Sequence, residues 1–133
     1  MASRSSERRT ITVFSADITT DGTAVTDTDL TGRRIRNLHP PWVMNTTVTD
    51  AGATASGGTN YSAQAILQDC ATLTGTYVTA FSGTAITTPT TGTDRKTDAT
   101  QLRDFVRCVV TLSAGTQNAG STVVVTLTGN GTA

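Results

Sequence analysis

A chain of 133 residues is long enough for one hydrophobic core and too short for two ordinary ones. Its 10 Lys and Arg balance 10 Asp and Glu, so no net field draws it toward nucleic acid or an anionic membrane. Close to a quarter of the residues are threonine, with one Lys and one Glu; β-branched side chains without helix formers predict an all-β chain. The scarcity of titratable groups points away from an enzyme and toward a structural component.

Met1 to Arg9 is polar, carries Arg4, Arg8 and Arg9, and has nothing to bury. Residues 1–9 are therefore expected to form a flexible basic arm, followed by a sandwich domain over residues 10–133. This start lacks the apolar stretch of a secretory signal, and no run approaches the ~20 apolar residues of a membrane-spanning helix. Synthesis in a cytoplasm, with no membrane partner, is the expectation.

Thr10 to Phe14 reads as an edge strand, and Ser15 to Asp29 as short β pieces broken at the Asp21-Gly22 turn dipeptide. Arg33, Arg34 and Arg36 make a second basic cluster, read as a solvated surface or an inter-subunit salt bridge in preference to a phosphate site. His39-Pro40-Pro41 is a rigid lead-in, because two fixed φ angles and two missing donors exclude a helix interior. Trp42 to Val48 then alternates, with Trp42, Met44 and Val48 on the apolar face. Asp50 to Asn60, rich in glycine, is expected to be a hairpin connection.

Tyr61 to Cys70 alternates Ala63, Ala65 and Leu67 against Gln64, Ile66 and Gln68, a strand pattern. Tyr77 to Phe81 is another, with Tyr77, Thr79 and Phe81 expected on one face. Thr87 to Thr100, with Pro89, Gly92 and no apolar residue but Ala99, is expected to be a long exposed loop or docking segment, presenting Arg95 and Lys96. In the strand ending at Leu112, Val106, Cys108, Val110 and Leu112 should face the core. Phe105 and Val109 lie on the opposite face, which implies that this face is also partly covered, as at a subunit interface. After a turn over Ser113 to Gly120, Ser121 to Thr128 aligns Val123, Val125 and Leu127, and the last two strands read as a hairpin. About eight short antiparallel strands predict a single β-sandwich, jelly-roll-like.

The residues for chemistry are thin. His39 is the one histidine, set beside two prolines, and no Gly-x-Ser-x-Gly elbow occurs. Nine aspartates are scattered without a marked pair, as turn residues are. Asp27 to Gly32 begins like a calcium loop, but Leu38 stands where the twelfth-position acid is needed. Cys70 and Cys108 have no Cys-x-x-Cys partner and are expected to be free buried thiols, so neither a metal nor a cofactor is expected. Thr-x-Thr pairs such as Thr47/Thr49 and Thr126/Thr128 have no constant spacing along the chain, which argues against an ice-binding solenoid. Trp42, Tyr61 and Tyr77 could stack on a sugar, but core packing explains them equally well.

Three stretches carry a resemblance to a known family. They are Phe14-Ser15-Ala16-Asp17 with the strand ending in Asp29-Leu30-Thr31-Gly32; Pro41-Trp42-Val43 leading to Gln64-Ala65-Ile66-Leu67-Gln68; and Phe105-Val106-Arg107-Cys108-Val109-Val110 with Ala119-Gly120-Ser121-Thr122-Val123. In this order, over roughly Phe14 to Gly129, the chain resembles the capsid cement, or decoration, proteins of tailed bacteriophages. The arm and the Thr87 to Thr100 segment depart from compact members of that family. The resemblance implies a sandwich that does no chemistry and binds the outside of the major capsid protein lattice as a dimer or trimer of itself. Arg4, Arg8, Arg9, Arg95 and Lys96 are the expected capsid contacts, and Phe105 and Val109 the expected subunit interface. A tail or fibre module, or a carbohydrate-binding sandwich, is the alternative.

Overall fold

The computed structural model describes residues 7–17, 24–26, 33–35, 38–50, 62–86, 91–113 and 121–131. Among these, nine strands form: β1 (Arg8–Asp17), β2 (Ala24–Thr26), β3 (Arg33–Arg34), β4 (Leu38–Asp50), β5 (Ser62–Cys70), β6 (Val78–Ser82), β7 (Thr91–Asp98), β8 (Phe105–Ser113) and β9 (Ser121–Gly131). One sheet has the order β1-β9-β4-β7; the other has β2-β8-β5-β6, with β3 also paired to β8. All pairings are antiparallel.

The pairs nest: β5 with β6, β4 with β7, β2 and β3 with β8, and β1 with β9. Such nesting is a long antiparallel ribbon rolled into two packed sheets, the eight-stranded jelly roll, in which β2 and β3 both pair with β8. The all-β sandwich read from the sequence is the fold observed.

Alternation places the core as expected. Trp42, Met44 and Val48 of β4 meet Val123, Val125 and Leu127 of β9 inside the four-stranded sheet, and Ala63, Ala65 and Leu67 of β5 meet Val106, Cys108 and Val110 of β8 inside the other; all are buried. A register shift between Thr12 and Phe14 lets the successive residues Val13 and Phe14 both enter this core. Pro40 and Pro41, joined by a cis peptide bond, occupy a second irregularity, between the pairs His39↔Asn130 and Val43↔Thr128, where the ladder needs no proline N–H.

Four expectations need correcting. The Thr87 to Thr100 segment is not a loop throughout, since Thr91–Asp98 is the edge strand β7, paired along β4 from Trp42↔Asp98 to Thr49↔Thr91. Its backbone is held by the hydrogen bonds β4 offers, which require no apolar side chain. The last two strands are not a hairpin: β8 and β9 lie in different sheets. Nor do the strands flanking Asp50 to Asn60, β4 and β5, pair with each other. Periodicity selects the buried face of a strand but not its partner. Tyr77, Thr79 and Phe81 do not share one face: the register shifts between Leu67 and Gln68, so Phe81 pairs with Leu67 and packs in the core, while Thr79 pairs with Gln68 on the outer face, where Arg107 lies over the Tyr77 ring. The Asp21-Gly22 turn and residues 51–60 and 114–120 lie outside the described residues.

Among the described residues, one buried side-chain polar atom lacks a partner. Thr46 is 1% exposed on the core side of β4, and its Oγ1 makes no hydrogen bond. Val has the same shape without the hydroxyl's desolvation cost, so Thr46→Val is expected to raise stability by about 1 kcal/mol. An unfolding midpoint in urea that falls instead would show that the hydroxyl has a role.

Candidate functional site

The basic residues singled out in the sequence do not converge. Arg8 and Arg9 lie in β1, Arg95 and Lys96 in β7, and these are opposite edges of the four-stranded sheet with β9 and β4 between them. At ~4.8 Å per strand the two edges stand roughly 14 Å apart. Arg4 lies outside the described residues, as does the rest of 1–6. Arg8 and Arg9, read as part of the arm, belong instead to the sheet, paired with Asn130 and Gly129, and the Gly131 amide donates to the Glu7 carbonyl. The Arg8 guanidinium donates to the Pro41 carbonyl at 3.0 Å and to Asn130 Oδ1 at 2.8 Å, which fixes it across its own sheet.

On β7, Arg95 and Lys96 point to opposite faces. Arg95 is exposed beside Asn45, whereas Lys96 is half-buried opposite Met44, in one row with Asp94 and Asp98. Asp94 Oδ2 accepts the Thr84 amide at 3.0 Å. The Asp98 carboxyl is held below its ordinary range by the Thr100 hydroxyl, with the Thr100 amide and the Lys96 charge adding to this against a cost of burial. Charges turned toward the interior of an edge strand oppose the addition of another strand there. The β7 edge is thus closed to strand pairing by its own side chains.

Phe105 and Val109 do share a face. Both are half-buried on the outer side of the five-stranded sheet, and Val109 pairs directly with Ile66 of β5. The Arg34 guanidinium lies 5.8 Å from the centre of the Phe105 ring, and Arg107 lies 4.6 Å from that of Tyr77 while its Nε donates to Gln68 Oε1 at 2.7 Å. Ile66 therefore extends the apolar strip, and Leu73 and Val78 stand about half exposed at the β5–β6 end of the same sheet, at 49% and 51%. Leu73 escaped sequence reasoning because it sits among turn residues; a large aliphatic side chain between threonines and a glycine was the available signal.

A groove opens where β1 of one sheet faces β3 of the other. It consists of two adjoining depressions of about 410 and 270 Å³ that share Arg34 and Leu38. The larger is bounded by Arg9, Thr10 and Ile11 of β1. The smaller has Ile35 and Leu102 in its floor and His39, Arg103 and Asp104 on its rim. Arg103 is committed to the buried Asp69: its side chain reaches the Asp69 carboxylate at 3.0 Å and the Asp69 carbonyl at 2.9 Å, and its amide donates to the same carboxylate at 2.9 Å. The sequence showed Arg34 as one of a cluster, but its meeting with Arg9 arises only when the jelly roll brings β1 across from β3.

Cys70 and Cys108 are free and buried, and burial pushes the Cys108 thiol up to about 12, so it is not a nucleophile at neutral pH. Among the described residues no three His, Cys, Asp or Glu side chains gather closely enough to hold a metal ion. The surfaces therefore offer apolar contact, hydroxyls and arginines. No protein-family model matches the chain, and no curated protein is similar enough to count as a relative.

Proposed function

We propose that the protein is a structural virion component, a capsid cement or decoration protein made in the host cytoplasm. It binds the outer surface of the major capsid protein lattice and stabilises it without chemistry. The observation that carries this reading is the apolar strip of Phe105, Val109 and Ile66 on the outside of a finished sandwich. A closed core does not need these side chains outside it, and burial against another protein recovers the free energy that their exposure costs. The resemblance of the three stretches to decoration proteins supports the choice of partner. Many weakly bound copies, each recognising only the assembled lattice, add their binding free energies to that state.

In this reading the strip joins copies of the chain into a dimer or trimer, and the four-stranded sheet is left free to meet the shell. Two results follow. The protein is expected to co-purify with intact capsids at stoichiometric copy number. Val109→Lys, which puts a charge in the strip, is expected to weaken self-association at least ~10-fold in sedimentation equilibrium, equivalent to about 1.4 kcal/mol, with its circular dichroism unchanged. Absence from purified capsids overturns the shell reading, and a strictly monomeric wild type overturns the subunit interface.

A further inference from the structure

Among the described residues, no strand pairs with the outer edge of β1. The Gly131 amide bonds to the Glu7 carbonyl, and this fixes the alternation of the ladder. Arg9 and Ile11 exchange hydrogen bonds with β9, while the backbone N–H and C=O groups of Arg8, Thr10 and Thr12 point toward the open edge. Unlike β7, this stretch turns no carboxylate toward the interior. Its inward side chains are Arg9, which lies across Gly131 where a Cβ would come within 2.9 Å of its Nε, and Ile11, which packs on the core. Arg34 and Leu38 complete the larger depression, whose described lining holds two cations and no acid.

We propose that the open edge of β1 and this depression bind an extended acidic segment of a partner protein, which adds to the four-stranded sheet as a fifth strand. The period of a strand sets the sequence it must carry. One inward side chain is a carboxylate beside Arg9, and the inward side chain two residues away is aliphatic, seated on Ile11 and Leu38; the Arg34 guanidinium, held over Phe105 at the border of the depression, adds its charge from farther away. Main-chain hydrogen bonds at Arg8, Thr10 and Thr12 supply affinity, and the two pockets supply specificity. Asp104, the acid on the rim, borders the other depression. A nucleic acid fits less well, because its backbone presents acceptors only and cannot answer the alternating donors and acceptors of a strand edge. The inference goes beyond the shell reading: it names the chemistry of the segment and not the assembly that carries it.

The test uses the full chain, labelled with nitrogen-15, and an acetylated and amidated peptide of sequence STETVTS. Amide shifts are expected to concentrate at Arg8 to Thr12 and around Arg34 to Leu38, and to weaken as salt rises. Replacing the peptide's glutamate by lysine, or its valine by serine, is expected to weaken binding at least ~5-fold. In the protein, Arg34→Glu is expected to do the same, and Arg9→Glu serves as an independent variant; circular dichroism verifies that each folds. No shifts at β1, equal binding of the lysine peptide, or tighter binding of oligothymidylate would each overturn the proposal.

Discussion

Trp42→Ala is expected to cost about 3–5 kcal/mol, the usual cost of emptying a large aromatic site in a core. That is a large share of the about 5–15 kcal/mol that holds a domain folded. Trp42 is fully buried, and its Nε1 donates to the Thr100 carbonyl at 2.8 Å, tying β4 to the segment that follows β7. Opposite the indole, β9 carries Gly129. A Cβ there would collide with Trp42 Cζ3 and stand 3.1 Å from the His39 carbonyl, so neither the ring nor the backbone can accept it without moving. Gly129→Ala is therefore expected to destabilise by about 1–3 kcal/mol although it adds a single methyl. The two sites share one volume, so their effects should not add: Gly129→Ala in a Trp42→Leu background is expected to cost much less than in the wild type. Urea unfolding of the four proteins measures this coupling. A Gly129→Ala variant within ~0.5 kcal/mol of wild type, or additive effects, would mean that the indole does not rest on the glycine.

The legible part of the fold was the part written in alternation. Trp42, Met44 and Val48, then Ala63, Ala65 and Leu67, then Val123, Val125 and Leu127 each announce a buried face, and each face is buried. Partner choice was not legible, because the apolar faces of β8 and β9 suit either sheet. Their separation follows from the nested pairing of the whole chain, a non-local property that no window of residues contains. The strand β7 was hidden for a different reason. An edge strand protected by Asp94, Lys96 and Asp98 has the composition of a loop, and only the hydrogen bonds to β4 make it a strand. The candidate surfaces divide in the same way. Phe105 and Val109 could be placed on one face by spacing alone, whereas Ile66 joined them through cross-strand register, and Arg9 met Arg34 through the topology of the two sheets.

Alkaline pH should expose the cost of keeping Cys108 in the core. Burial pushes its thiol from an ordinary value near 9 up to about 12, against a smaller opposing contribution from the Ile66 backbone. The sign follows from proton counting. Above about pH 9 the unfolded chain releases this proton while the folded chain keeps it, so the unfolded state binds fewer protons and stability falls as pH rises. The contribution is fully present below pH ~9, and its complete loss by pH ~12 amounts to roughly 4 kcal/mol. Tyr77, raised above 10 chiefly by burial and further by Cys70, against an opposing Arg107 charge, adds a decline of the same sign at the upper end of this range. Cys108→Val keeps a small apolar side chain beside Leu67 and removes the titrating group. Urea midpoints measured from about pH 8 to 11 are expected to fall steeply for the wild type and shallowly for Cys108→Val, the curves diverging only above pH ~9. Parallel curves would place the thiol in contact with solvent. Iodoacetamide gives an independent reading of the same burial, because only the thiolate reacts: at neutral pH Cys108 should be alkylated in proportion to the small population of opened sandwich, and faster when urea raises that population.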